Sequence, residues 1–145
     1  MKTQRPMVNG HVRRCVLDSG GLTALCGGSA AARADLYWVL GFAHGIRIPT
    51  PILAECTTGD SGRDAEVNRI LNILGRGSAV IVAPTEETAR RAGRLRYLAR
   101  TDDGIDALVA AEAIGDGTKS VVLTSDPKDL QRLLIRSHNV MIWKV

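Results

Sequence analysis

The feature that most constrains this chain is alternation. Short apolar runs of strand length recur between longer segments with helical patterning. "RRCVLDSGG" reads as a buried strand ending at Asp18, followed by a flexible glycine turn into "LTALCGG". "IRIPTPILAEC" suggests a short extended piece, a proline-led turn and a helix; "SAVIVAP" reads as a second buried strand, "KSVVLT" as a third and "NVMIWKV" as the last. Between them, "SAAARADLYWVLGFAHG" has helical composition with Gly45 as its stop. "GRDAEVNRILNILGRG" repeats Val67, Ile70, Leu71 and Leu74 at spacings of three and four before Gly75. "TEETARRAGRLRYLAR" opens on a Thr85 cap with acids in its first turn, and "DGIDALVAAEAIGDG" and "DPKDLQRLLIRS" complete the helices. Strands that alternate with helices are returned in the same direction each time. The predicted fold is therefore α/β: a mostly parallel central sheet with right-handed crossovers, flanked by helices in three layers.

At 145 residues and 45% hydrophobic content, the chain matches one ordinary domain with a sizeable core, expected over 1–145, of which 1–12 form a basic lead of flexible character. Aromatics make up only 3%, so the core must come from Leu, Ile, Val and Ala. The aromatic-rich "LYWVLGF" reads as core, with a partner groove as the alternative. No apolar run reaches the roughly 18 to 20 residues that span a bilayer, and "MKTQRPMVNG" has no secretory apolar stretch, which predicts a cytoplasmic protein without a membrane partner. Cys15, Cys26 and Cys56 are odd in number, lack CxxC spacing and read as reduced core residues. The scattered His11, His44 and His138 offer no ligand spacing. Fifteen arginines against four lysines produce a net charge of +4, which suits a polyanionic partner without requiring one.

In open α/β sheets, ligands bind outside the carboxyl ends of the strands. Asp18 and Asp126 both follow strands directly. Asp106 shares a helical stripe with Val109, Ala110 and Ala113, and Glu55 sits between Ile52 and Cys56 toward the apolar side of a short helix. Carboxylates on inward faces are costly unless protonated, paired or bound to a cation, so four converging acids imply a divalent metal. Hard oxygen ligands suit Mg²⁺ or Mn²⁺, with Asp18, Asp106 and Asp126 as the metal ligands and Glu55 completing the catalytic set. Such a centre fits phosphodiester hydrolysis. Structural roles compete at each position. Asp126 precedes Pro127 and can cap a helix, Asp102 or Asp103 caps the helix bearing Asp106, and Asp129 supports its own helix N-terminus. Asp18 has the weakest structural account, since no helix obviously begins on it.

These residues resemble the PIN-domain nucleases, in particular the VapC-type toxins of bacterial toxin-antitoxin pairs. "VLDSGGLTAL" is similar to the family's opening strand and first acid, "IPTPILAE" to the segment with its second, "DGIDALVAAEA" to that with its third, and "VVLTSDPKDL" to the strand, Thr/Ser and fourth acid. The resemblance spans roughly residues 13 to 145. It implies a PIN-like fold, an Mg²⁺- or Mn²⁺-dependent endoribonuclease centred on Asp18, Glu55, Asp106 and Asp126, a homodimer, and inhibition by a small cognate antitoxin. It also sets Thr124 and Ser125, beside the fourth acid, among the residues expected to touch RNA. Gly20 stands where many relatives carry a small polar residue or Ala, which predicts looser backbone placement after Asp18. The basic lead before Arg14 is longer than usual for the family.

Between Arg90 and Arg100 lie five arginines with no acid after Glu87. Arg90 and Arg94 share one helical face, and Arg96 and Arg100 another. They are either a solvated surface or cations that track RNA phosphates beside the acids, with Arg90 and Arg94 as the candidates. Other readings of the acids remain open. A receiver-type signalling domain would carry an acidic pair after its first strand and a lysine after its last, and neither stands here. A housekeeping RNA-processing nuclease would share the same centre, and a short upstream gene for a DNA-binding partner would argue against it. A binding module that holds metal without turnover is separable only by assay.

Overall fold

The computed structural model describes residues 5–6, 12–76 and 80–145. Five strands form one sheet in the order β3-β2-β1-β4-β5, and every pairing is parallel. The strands are β1 (Arg14–Leu17), β2 (Ile46–Pro49), β3 (Ile81–Val82), β4 (Ser120–Thr124) and β5 (Val140–Lys144). Helices α1 (Ser19–Ala24), α2 (Ala30–Leu40), α3 (Pro51–Cys56), α4 (Ala65–Leu74), α5 (Glu86–Ala99), α6 (Gly104–Ile114) and α7 (Lys128–Leu133) connect and flank them. The alternation expected from the sequence is present. No described helix is long and apolar enough to cross a membrane.

The most apolar strands lie at the centre, as burial on both faces requires. Cys15, Val16, Leu17, Val121, Val122 and Leu123 are all fully buried. Helix α6 lies across β1, β2 and β4 and packs extensively on α5, while α1 packs on α3, β1 and β4. The small side chains Ala107, Ala110, Ala111 and Ala113 bring α6 close to the sheet with no loss of burial. Helix α4 buries Ile70 and Leu74, with Val67 and Leu71 partly covered, and ends at Gly75 as its spacing predicts. Helix α5 buries Ala92, and the Thr85 hydroxyl accepts the Thr88 N–H at its start.

Several local expectations are corrected. The segment "SAVIVAP" is not a fully buried strand: residues 78–79 lie outside the described residues, Val80 is buried, and β3 is a two-residue edge strand whose Ile81 is 40% exposed. One open side is what an edge position leaves. Helix α2 stops at Leu40 with Gly41 as its cap, and a 3₁₀ turn at Ala43–Gly45 completes the path to β2. The apolar α2 segment is mostly core, since Val39 and Phe42 are buried and Trp38 packs edge-on against Phe42 with ring centroids 5.2 Å apart. Tyr37 points outward. Of the basic lead, Arg5 and Pro6 dock on α2: the Arg5 guanidinium pairs with Asp35, and the Trp38 indole N–H donates to the Pro6 carbonyl. Cys15 is buried, whereas Cys26 and Cys56 are partly covered, and all three are free thiols.

The turn after Asp18 is not a loose glycine loop. It is α1, and its glycines permit close approach to the end of β4. A Cβ on Gly21 would stand 2.1 Å from the Leu123 carbonyl oxygen, and one on Gly20 would stand 2.0 Å from the Ser125 hydroxyl. Any side chain at Gly21 must therefore push α1 away from the strand backbone. The Gly21→Ala variant is expected to lose at least about 2 kcal/mol of stability through overpacking, seen as a melting temperature about 4 °C or more lower in a calorimetric scan. An unchanged melting temperature would show that α1 does not sit this close to β4.

Candidate metal centre

Strand β1 pairs with β2 on one side and with β4 on the other. The chain leaves β1 in one direction and returns on its opposite flank much later. That arrangement opens a crevice at the carboxyl ends of β1 and β4, the place where an open α/β sheet binds ligands. Leu17 is in register with Leu123, so the next residues, Asp18 and Thr124, emerge side by side.

Asp18 is 6% exposed. Its two carboxylate oxygens are held separately. Oδ2 accepts the Thr124 hydroxyl at 2.5 Å, and Oδ1 accepts the Gly21 N–H at 2.7 Å as the N-cap of α1. Asp18 therefore has a structural role that the sequence reading did not assign, because a helix begins directly behind it. Each oxygen keeps a further lone pair for another ligand. Burial pushes the Asp18 carboxyl above its ordinary range; the two hydrogen bonds oppose that shift, and Glu55 and Asp126 add to it.

Asp106 comes from the first turn of α6, where Asp103 is the N-cap and accepts the Asp106 N–H at 2.9 Å. Its stripe-mates Val109, Ala110 and Ala113 are buried, and Asp106 itself is half-buried at the inner edge of the helix. Burial raises its carboxyl from 3.8 to about 7, reinforced by the negative charges of Asp103, Asp18, Asp129 and Glu55. Asp103, Asp106 and Asp129 each offer an oxygen within 4.8 Å of the others. Asp129, in the first turn of α7, thus faces the centre in addition to supporting its own helix. Nothing in the local sequence signals this, because it depends on how α7 packs against α6.

Glu55 and Asp126 lie at the solvent side of this group. Glu55 is exposed, contrary to the inward placement expected from Ile52 and Cys56, because α3 is only six residues long and turns its fifth residue outward. It lines an open hollow of about 430 Å³ together with Ser19, Gly20, Thr23, Ala24 and Ser125. Asp126 is exposed and accepts the Lys128 N–H at 3.3 Å, while its own N–H donates to the Thr124 hydroxyl. Thr124 is therefore buried as a bridge between the two strand-end acids, and Ser125 stands exposed beside them. Arg90 and Arg94 are both exposed on α5, and Arg90 pairs with Glu86 at 3.5 Å.

Among the described residues, no Lys or Arg side chain lies within 4.0 Å of a carboxylate oxygen of Asp18, Glu55, Asp103, Asp106 or Asp126. Asp129 has only Arg132 at 3.9 Å. The donor set is entirely hard oxygen, with Asp106 raised to about 7 by burial and neighbouring negative charge, and it fits Mg²⁺ or Mn²⁺.

Crowding has a measurable sign. Asp106 binds its proton more tightly folded than unfolded, so its contribution to stability falls as pH rises from 3.8, and the loss is complete above about 7. In EDTA, the difference in melting temperature between wild type and Asp106→Asn should therefore widen from pH 5 to pH 8 in favour of the variant. Mg²⁺ should raise the wild-type melting temperature more at pH 8 than at pH 5. Parallel pH curves for the two proteins would refute the raised pKa of Asp106. A Thr124→Val variant removes a hydrogen bond to a buried carboxylate and should cost about 1.5 to 3 kcal/mol at pH 8, with less lost as pH falls and Asp18 takes up its proton; a loss that does not change with pH would show that the hydroxyl does not serve the charged form.

No protein-family model matches the sequence, and no curated protein matches it significantly. Among solved structures, the chain is similar to one in the crystal structure of VapBC2 from Rickettsia felis bound to a DNA fragment from their promoter. Identity is 16% and the TM-score 0.66, over 90% of this chain and 98% of that one. At that identity the likeness is one of fold: the chain has a PIN-like, VapC-like architecture, a five-stranded parallel sheet flanked by helices.

Proposed function

We propose that this protein is a metal-dependent endoribonuclease that hydrolyses RNA phosphodiesters and acts as the toxin of a toxin-antitoxin pair. The observation that carries the nuclease reading is the convergence of acids without matching cations at the carboxyl ends of β1 and β4. The toxin reading is supported by the structural likeness to a chain of a VapBC2 complex. On this reading, Asp18, Asp106 and Asp126 hold Mg²⁺ or Mn²⁺, with Glu55 beside them, and the chain works as a homodimer restrained by a small antitoxin.

When bound, the metal supplies Lewis acidity and neutralises charge at the scissile phosphate. The side chains do the rest. Asp18 cannot swing away, because the Thr124 hydroxyl and the Gly21 N–H fix both of its oxygens, so one ligand is preorganised before substrate arrives. Asp106, raised to about 7 in the metal-free centre, would give up its proton to bind the cation, so metal affinity should strengthen as pH rises through that range. Glu55, exposed on the hollow shared with Ser19, Thr23 and Ser125, is placed to orient water or an RNA hydroxyl entering from solvent. Thr124 positions Asp18 and not RNA, whereas Ser125 is open to substrate.

The reading is tested by incubating purified protein with a mixed RNA substrate in Mg²⁺, Mn²⁺ or EDTA, beside Asp106→Asn and Asp126→Asn variants whose folding is checked by circular dichroism. Cleavage should require the metal and fall at least about a hundredfold in either variant. Full activity in EDTA, or in both folded variants, would exclude the acidic centre as the seat of catalysis. Co-expression with the product of a short adjacent gene should silence the activity if the protein is a toxin, and a nuclease indifferent to it would be an RNA-processing enzyme.

A further inference from the structure

The C-terminal end of α5 and the loop that follows it enclose a concavity of about 670 Å³, lined by Arg96, Tyr97, Arg100, Thr101, Asp102 and Arg136 among others. Three arginines and one aspartate are among its lining residues. None of the three appears in an ion pair among the described residues. Tyr97 is 82% exposed among them, in a protein with only five aromatic residues. An aromatic ring that gains almost nothing by burial, set among unspent cations, is the composition of a single-stranded nucleic-acid track: charge follows the phosphates and the ring stacks a base.

The shape is held from beneath. Arg100 adopts left-handed backbone geometry, with φ of 54°, and so turns the chain sharply out of α5. The Thr101 N–H donates to the Arg96 carbonyl, which closes the helix end. From α7, Arg132 donates to the carbonyl oxygens of Ala99 and Arg100 at 2.6 and 3.4 Å and ties the turn to the helix that carries Asp129. Asp102, in the wall of the concavity, directly precedes Asp103, whose carboxylate lies with those of Asp106 and Asp129. The arginine-lined surface and the acidic centre are therefore neighbours along the chain.

We propose that this concavity binds the single-stranded segment of RNA that flanks the scissile phosphate, with Arg96 and Arg136 on phosphates and Tyr97 stacked on a base. The proposal rests on the nuclease reading and shifts the RNA contacts from Arg90 and Arg94, the first of which is engaged by Glu86, to the last turn of α5. Acidic protein segments would also be attracted by the arginines, but they would make no use of the exposed ring.

The test measures binding rather than cleavage. Fluorescence anisotropy of a short labelled single-stranded RNA of mixed sequence is followed in EDTA, where turnover is suppressed, over a range of salt concentrations. Arg96→Ala/Arg136→Ala is expected to weaken binding about tenfold or more and to lower the salt slope by roughly one per arginine removed. Tyr97→Ala is expected to weaken it about tenfold with the salt slope unchanged, while Tyr97→Phe binds like wild type. The charge-matched Arg13→Ala/Lys119→Ala pair, at the amino ends of β1 and β4, serves as the control. Wild-type affinity in both the arginine pair and Tyr97→Ala would overturn the proposal, even if metal-dependent cleavage is found. Loss in the arginine pair with none in Tyr97→Ala, together with equal competition by a polyglutamate peptide, would overturn it in favour of an acidic protein partner. If cleavage is absent but these binding effects appear, the site stands and the nuclease reading falls.

Discussion

The structure turns on one buried carboxylate. Asp18 sits where β1 ends, α1 begins and β4 passes alongside, and it is bonded to both of the other elements. Hydrogen bonds to a buried charge contribute about 1.5 to 3 kcal/mol each, and removing either partner leaves that charge less compensated. The same two bonds that cap α1 and lock it to β4 also aim the carboxylate into the crevice. Stability and site geometry are therefore the same interaction. The glycines that follow have the same logic, since only a residue without Cβ lets α1 approach the Leu123 carbonyl closely enough for the cap to form.

Around this fixed group the fold gathers negative charge from separate elements: α6 brings Asp103 and Asp106, α7 brings Asp129, α3 brings Glu55 and the β4–α7 turn brings Asp126. Such crowding opposes folding in the absence of a counter-charge, and it adds to the burial that raises Asp106 to about 7. Among the described residues arginine relieves it only at Asp129, where Arg132 lies 3.9 Å away, although the chain has fifteen arginines. Arg14 is used to hold the carbonyls at the end of α6, Arg47 pairs with Glu112, and Arg91 pairs with Glu87 and reaches the Gly115 carbonyl. A cluster with so few internal cations is one that the proposed divalent metal would complete, which would account for tension kept at this place in the fold.

Three of the arginines without an ion pair among the described residues, Arg96, Arg100 and Arg136, line one concavity with Tyr97, and Asp102 in its wall directly precedes Asp103 of the acidic cluster. Separation of charge on this scale accords with the proposed polyanion, whose backbone would be attracted at the flank and whose phosphate would approach the acids with the metal as counter-charge.

Much of this was legible in the residues alone. The strand and helix alternation, the Thr85 cap, a cap for α6 at Asp102 or Asp103, the apolar stripe of α4 and the strand-end positions of Asp18 and Asp126 follow from local periodicity and backbone propensity, and these act over a few residues. What periodicity could not supply is anything that depends on contact between distant segments. Glu55 looked inward by its neighbours, yet a six-residue helix docked on α1 leaves it facing solvent. Gly20 suggested slack, yet Ser125, more than a hundred residues away, closes that space. Asp129 looked like a helix-terminus residue until the packing of α7 on α6 carried it to Asp106. Sequence determined the elements and the residue types at their ends, because those are set by short-range sterics and burial. Tertiary structure alone decided which acids share a field and which cations are left free, because Coulomb energy depends on distances in space that no local pattern encodes.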